Sequence, residues 1–153
     1  MGSRPGCVWA TVPGRHWGLA MDKATTPEGA TPFQRALALR WGSADSGGIT
    51  VEMELRDDLR GPAGSLEGGV VSTLADVAGA STAAMALATM VATQQMSISF
   101  LAPGRVGPVR ATGRPMRVGR QDAVVQVEIV DVGNDDRLMA VALVTVKALA
   151  DRS

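Results

Sequence analysis

Between Phe33 and Leu149 the spacing of apolar residues passes from alternation to an all-round apolar run and back to alternation. In "ITVEMEL", Ile49, Val51, Met53 and Leu55 alternate with Thr50, Glu52 and Glu54, the period of a half-buried strand. "RALALRW", Arg35 to Trp41, is predicted as a strand before it, and the turn chemistry of "SADSGG" makes the two a hairpin. A polar, Gly- and Pro-containing loop covers Arg56–Ser65. From about Gly68 to Met90 the chain is dense in Ala and Leu and too long for one strand. It predicts a helix apolar nearly all round and therefore enclosed on most sides, with alanines that let a sheet approach closely. Strand spacing then returns in "TQQMSISFL", where Met96, Ile98 and Phe100 alternate with Gln95, Ser97 and Ser99. "VRATGRPMRV", "AVVQVEIVDV" and "LMAVALVTVKAL" follow, separated by "GRQD" and "GNDD" turns. Gly113 and Pro115 predict a bulge or sharp bend in the first of these three. Two strands, one long helix and four strands imply an α+β class: an antiparallel sheet of about six strands wrapped around one central helix. Residues 1–32 read as an irregular arm, with a short helical turn near Trp17–Lys23, and residues 33–150 as one domain.

Composition narrows the function classes. The chain has 153 residues, 46% hydrophobic and 20% charged, with Lys+Arg and Asp+Glu balanced at 15 each. A domain of that size buries about 70% of its unfolded surface. Neutral charge with 3% aromatics argues against a nucleic-acid partner, which requires phosphate-neutralising charge and often stacking rings. Cys7 stands alone, so no internal disulfide forms and a cytoplasmic location is expected; His16 alone builds no metal site. No secretory signal opens the chain, and "MGSRPG" has Gly6 where a myristoylation site wants Ser or Thr. The Gly68–Val91 run could span a bilayer by length. Its small residues and the cost of an acid inside it, roughly 2.5–3.5 kcal/mol on insertion scales, favour a buried helix and no membrane.

The chemistry concentrates in "GSLEGGVVSTLADVAGASTAAMAL", whose sole acids are Glu67, just before the glycines, and Asp76 within the run. A helix start leaves N–H groups without partners and adds partial positive charge. Gly68 and Gly69 there let an oxygen approach the backbone, which suits a developing oxyanion. The same glycines also serve a tight turn or close packing. Asp76 lies eight residues past Gly68, about 12 Å along a helix axis, too far for both to serve one carbonyl within one chain. If both act on one centre they come from different subunits, at two equivalent sites across a twofold dimer. The other readings of Asp76 are a hydrogen-bonded interface carboxylate or a solvent-facing one.

"LEGGVVSTLADVAGA" resembles the helix-entry motif of the PaaI-type hotdog-fold acyl-CoA thioesterases, commonly written HGG, six residues, then Asp. The resemblance continues through "TQQMSISFLAPG", "VGRQDAVVQVEIVD" and "DRLMAVALVTVKAL", roughly Phe33–Leu149. It implies a hotdog fold. It makes Asp76 the nucleophile or the base that activates water, the Gly68 N–H the oxyanion donor, and Thr93 a positioner of the water. The implied substrate is an acyl group on coenzyme A or a carrier protein, bound across a dimer that often pairs into a tetramer, with no further cofactor. Two positions depart from the family: its His is Glu67 here, and its Asn six residues earlier is Gly61. Glu67 caps the helix and favours its dipole, or serves as a second catalytic carboxylate. The departures keep two alternatives open: a hotdog protein that binds or otherwise transforms an acyl thioester without hydrolysis, and a non-catalytic dimeric interaction protein.

No acid occurs between Val77 and Gln121, whereas Arg105, Arg110, Arg114, Arg117 and Arg120 do. Arginine suits the phosphates of coenzyme A. Arg120, then Arg117, are the first candidates for that role, with Gly69 beside the thioester; a solvated strand face is the plainer reading. Met85, Met90 and Met96 are candidates for an adaptable acyl pocket or for core packing.

Overall fold

A computed structural model of the chain describes residues 24–149, so the turn expected near Trp17–Lys23, Cys7 and His16 lie outside the described residues. In chain order the elements are α1 (Pro32–Ala36), β1 (Arg40–Ser43), β2 (Ile49–Met53), α2 (Gly68–Leu87), β3 (Val91–Phe100), β4 (Val109–Val118), β5 (Asp122–Asp131) and β6 (Arg137–Ala148). Two 3-10 turns, Asp57–Leu59 and Val132–Asn134, join them. The strands form one antiparallel sheet in the order β1-β2-β4-β5-β6-β3, with α2 packed on one face. This is the α+β, hotdog-like architecture that the element order implied.

The first strand starts later than its apolar spacing suggested. Residues 32–36 are helical because Thr31 caps them: its hydroxyl accepts from Gln34 N at 3.2 Å, and the Gln34 side chain accepts from Thr31 N at 2.9 Å. Pro32 at the first helical position suits this start. A local capping box thus overrides strand-like alternation, and β1 begins at Arg40. The alternation in β2 holds, with Ile49, Val51 and Met53 buried between half-buried Thr50 and Glu52. The expected irregularity in β4 is a register shift against β5 between Pro115 and Arg117. Proline lacks the N–H that a regular ladder uses.

Glycine and threonine seat α2 on the sheet. A Cβ on Gly79 would lie 2.7 Å from Val144 on β6, so a side chain there would lift the helix. Gly113 on β4 similarly gives room to Thr82, whose hydroxyl accepts from Ile49 N at 3.0 Å. Trp41 Nε1 donates to Ser81 Oγ at 3.0 Å and ties β1 to the same turn. The buried face of α2 carries Val71, Leu74, Ala75, Ala78, Gly79, Thr82 and Ala83. Its other face is not covered by the described residues: Gly68 and Gly69 are exposed, and Asp76, Val77 and Ala80 half-buried. Among the described residues the sheet thus encloses one side of the helix. Although α2 is long and apolar enough to cross a membrane, it is the core helix of the domain.

Gly79→Ala gains helix propensity of up to about 1 kcal/mol but overpacks against Val144, at about 1–3 kcal/mol. Urea unfolding is expected to show net destabilisation, relieved only in part in the Gly79→Ala/Val144→Ala double variant, which removes the methyls at 2.7 and 3.1 Å but keeps the Cβ at 2.8 Å.

Candidate active site

The N-terminus of α2 opens onto a cleft of about 380 Å³ lined by Ser65, Leu66, Gly68, Val71, the Phe100–Gly104 segment and Met139. No lining side chain is charged. Among the described residues, Gly68 N–H and Gly69 N–H have no acceptor, as the first turn of a helix requires. Phe100, at the end of β3, stands beside Gly68: its ring carbons lie 3.5 Å from where a Cβ on Gly68 would be. Apolar walls, a free N–H and a helix dipole meet at this point.

Glu67 is the N-cap residue by position, with φ −60° and ψ 139°. Its side chain makes no capping hydrogen bond, so the expected cap is reduced to a charge beside the helix start. Its Cγ lies 3.2 Å from where a Cβ on Gly61 would be. The two departures from the HGG pattern are thus neighbours in space. The Glu67 side chain crosses the surface of a residue that has none, and it lies outside the lining of the cleft.

Asp76 faces the other end of β3. Thr93 Oγ1 donates to Asp76 Oδ1 at 2.6 Å, leaving Oδ2 without a hydrogen bond among the described residues. The β4–β5 turn lies at this same end, since Ala92 pairs with Lys147 and Lys147 with Asp122. There Arg117, Arg120, Gln121 and Asp122 line a shallow depression of about 500 Å³. Arg117 is paired with Asp122 at 2.8 Å, whereas Arg120 has no side-chain partner among the described residues. The remaining arginines of the run are engaged elsewhere. Arg110 pairs with Glu52, Arg114 donates to Gln126, and Arg105 donates to Ala63 O. Arg40 also binds Glu52, and the two arginines outweigh the effect of burial to hold that carboxyl below its usual range. Met96 and Met85 are half-buried against the core, and Met90 is exposed. The methionine that lines the cleft is Met139, which spacing did not single out. Among the described residues no cluster of His, Cys, Asp and Glu suits a metal ion.

One buried acid escaped the sequence reading. Asp131, at the end of β5, is fully buried and accepts from three backbone donors: Arg105 N at 2.8 Å, Val106 N at 3.1 Å and Gly107 N at 2.7 Å. Its signal was an acid at an inward position of "AVVQVEIVDV", where alternation calls for an apolar side chain. Burial raises its pKa, but those three N–H groups and the Arg60 charge outweigh burial and hold the carboxyl below its ordinary value.

A family model described as the thioesterase superfamily matches residues 63–138, from the loop before α2 to the first residues of β6. Over those residues the chain is similar to that superfamily, in keeping with its hotdog-like fold. Solved structures align along nearly their whole length. S. sahachiroi AziG is 28% identical, with a TM-score of 0.70, and the match covers 78% of this chain and 97% of AziG. A Shewanella oneidensis protein related to the thioesterase superfamily is 26% identical, with a TM-score of 0.71, covering 78% and 88%. The E. coli PaaI protein, from the phenylacetic acid degradation operon, is 25% identical, with a TM-score of 0.67, covering 77% and 84%. No curated protein sequence matches the chain.

Because the folded-state pKa of Asp131 is depressed, its contribution to stability is complete above the unfolded value and is lost as pH falls through the folded one. Stability is expected to decline below about pH 3.8, the ordinary carboxyl value. Thermal unfolding across that range should show a shallower acid limb for Asp131→Asn.

Proposed function

We propose that the protein hydrolyses an acyl thioester, carried by coenzyme A or a carrier protein, at a site shared between two copies of the chain. The observation that carries this reading is the layout of β3. The Gly68 donor stands beside Phe100 at its end, and Asp76 is bonded to Thr93 near its start. β3 is an edge strand of ten residues with no charge and no proline. Long edges are normally blunted by such residues, so this edge is built for pairing. Antiparallel pairing of β3 with its own copy about a twofold axis places each end beside the other chain's opposite end. The Gly68–Phe100 end of one subunit then faces the Asp76–Thr93 end of its partner. The same pairing covers Phe100 and Leu101, both more than half exposed in the single chain. Each dimer carries two such sites, and a tetramer keeps them if dimers pair through other faces.

In this reading the apolar, uncharged cleft beside Gly68 takes the acyl group, and Arg120, with Arg117 beside it, meets the phosphates. Thr93 holds Asp76 by Oδ1, and Oδ2 takes a proton from water. The resulting hydroxide attacks the thioester carbonyl carbon. The carbonyl oxygen gains charge against the Gly68 N–H, supported by Gly69 and the helix dipole. Collapse breaks the carbon–sulfur bond, and the proton on Asp76 passes to the departing thiolate. Glu67, with its Cγ beside Gly61, lies outside the lining of that cleft.

The departure at Glu67 and Gly61 supports a second reading, in which the same site binds an acyl thioester without cleaving it. A panel of acyl-CoAs separates the two: turnover supports hydrolysis, and binding without turnover supports the second reading.

Asp76→Asn is expected to lower kcat by about 10²–10⁴. Gly68→Pro removes the donor while suiting the first helical position and the extended backbone of Glu67, and should cost about 10²–10³ in kcat with the fold retained. Mixing the two inactive variants tests the shared site. Random exchange of subunits should restore about a quarter of wild-type activity, since half the dimers then carry one intact site. No recovery after verified exchange would refute a site built from both chains.

A further inference from the structure

A buried carboxylate, Asp131, is linked through hydrogen bonds to the segment that enters α2. Asp131 gathers the N–H groups of Arg105, Val106 and Gly107 and so fixes the loop between β3 and β4. That loop in turn holds the segment that leads into α2. Gly104 O accepts from Leu66 N at 2.9 Å, and the Arg105 guanidinium donates to Ala63 O at 3.2 Å. Arg60 crosses between the two segments, donating to Gly64 O at 2.8 Å and to Arg105 O at 3.2 Å. Glu67 N, one residue before the free donor, is bonded to Leu59 O at 3.0 Å. Residues 65–66 and 100–104 are also the facing walls of the cleft.

We propose that Asp131 is a positioning residue for the Gly68 N–H, acting through the 104–107 loop and the Arg60–Arg105 lacing rather than by contact with substrate. The proposal rests on the reading of Gly68 as the oxyanion donor. Its physical basis is economy of constraint. A loop of mostly small residues, Gly61 to Gly64, has little packing of its own, so its position is inherited from the segment it is bonded to. That segment is held by charge-assisted hydrogen bonds in a site closed to water, where they are stronger than neutral ones. Asn at 131 keeps the shape but offers one oxygen for three donors, and puts an NH₂ group against at least one of them.

Two variants and two readouts test the proposal. Asp131→Asn loosens the loop at its base, whereas Arg60→Met removes the bonds to Gly64 O and Arg105 O, together with the ion pair to Asp57 and one charge near Asp131, and leaves the three N–H bonds to Asp131 in place. Amide hydrogen exchange is followed over residues 61–70 and, as an internal reference, over β5 and β6. Steady-state hydrolysis is measured with the acyl-CoA that wild type turns over fastest. Both variants should exchange at least about tenfold faster at 61–70 with the reference strands near wild type, the signature of local opening. kcat should fall by about tenfold to a hundredfold while KM changes little, since a displaced donor is felt at the transition state. Unchanged kcat despite faster exchange would reduce the cluster to a structural role, and lowered kcat without faster exchange would assign Asp131 a different action; either overturns the proposal. If Asp131→Asn does not fold, Arg60→Met decides by the same criteria. If wild type hydrolyses no thioester, the proposed function fails while the exchange arm still decides whether the clamp exists.

Discussion

The close seat of α2 on the sheet is the constraint from which the rest of the molecule follows. Gly79 lies against Val144, and Thr82 fits beneath the bare backbone of Gly113, so the helix cannot shift or roll without collision. A helix held that firmly is a ruler. It carries free N–H groups at its first turn and a carboxylate two turns on, and no motion inside the chain closes the distance of about 12 Å between them. The sheet beneath then assigns each group an address: Gly68 beside Phe100, Asp76 beside Thr93. Both addresses lie on β3, an edge strand among the described residues, and the proposed function has that edge pair with a second copy of the chain.

Two features that weaken an isolated chain become intelligible together. An uncharged edge strand invites association, and a helix whose outer face is apolar is left half covered. The other edge shows the contrast. β1 has four residues, begins with an arginine held by Glu52 and Glu54, and offers little to a partner.

The polar network at the N-terminal entry of α2 does different work. Asp131 replaces what would otherwise be one more inward valine with a carboxylate that organises backbone. Desolvation alone would make such a group costly. Three N–H donors and a nearby arginine reverse the balance, as the lowered pKa reflects. The result is a loop with almost no side-chain packing that nonetheless holds a defined path into the helix.

Element type was legible wherever apolar spacing ran for several residues: β2, α2 and the last four strands follow from periods of two and from the all-round apolar run. The bulge near Pro115 was legible because proline cannot donate to a ladder. α1 was not, since a capping box of two side chains outweighed the alternation in "RALALRW". Gly68, Asp76 and Thr93 could be named from their order along the chain, and the separation of the first two is fixed by helix rise alone. What only the tertiary structure decided is which groups meet: the Thr93 hydroxyl on Asp76, the Phe100 ring beside Gly68, Glu67 over Gly61, Arg117 spent on Asp122, and the clamp around Asp131. Periodicity reports the direction in which a side chain points from its own element, whereas a contact depends on the register between elements distant in sequence. That register is set by packing of the whole core, which no local window contains.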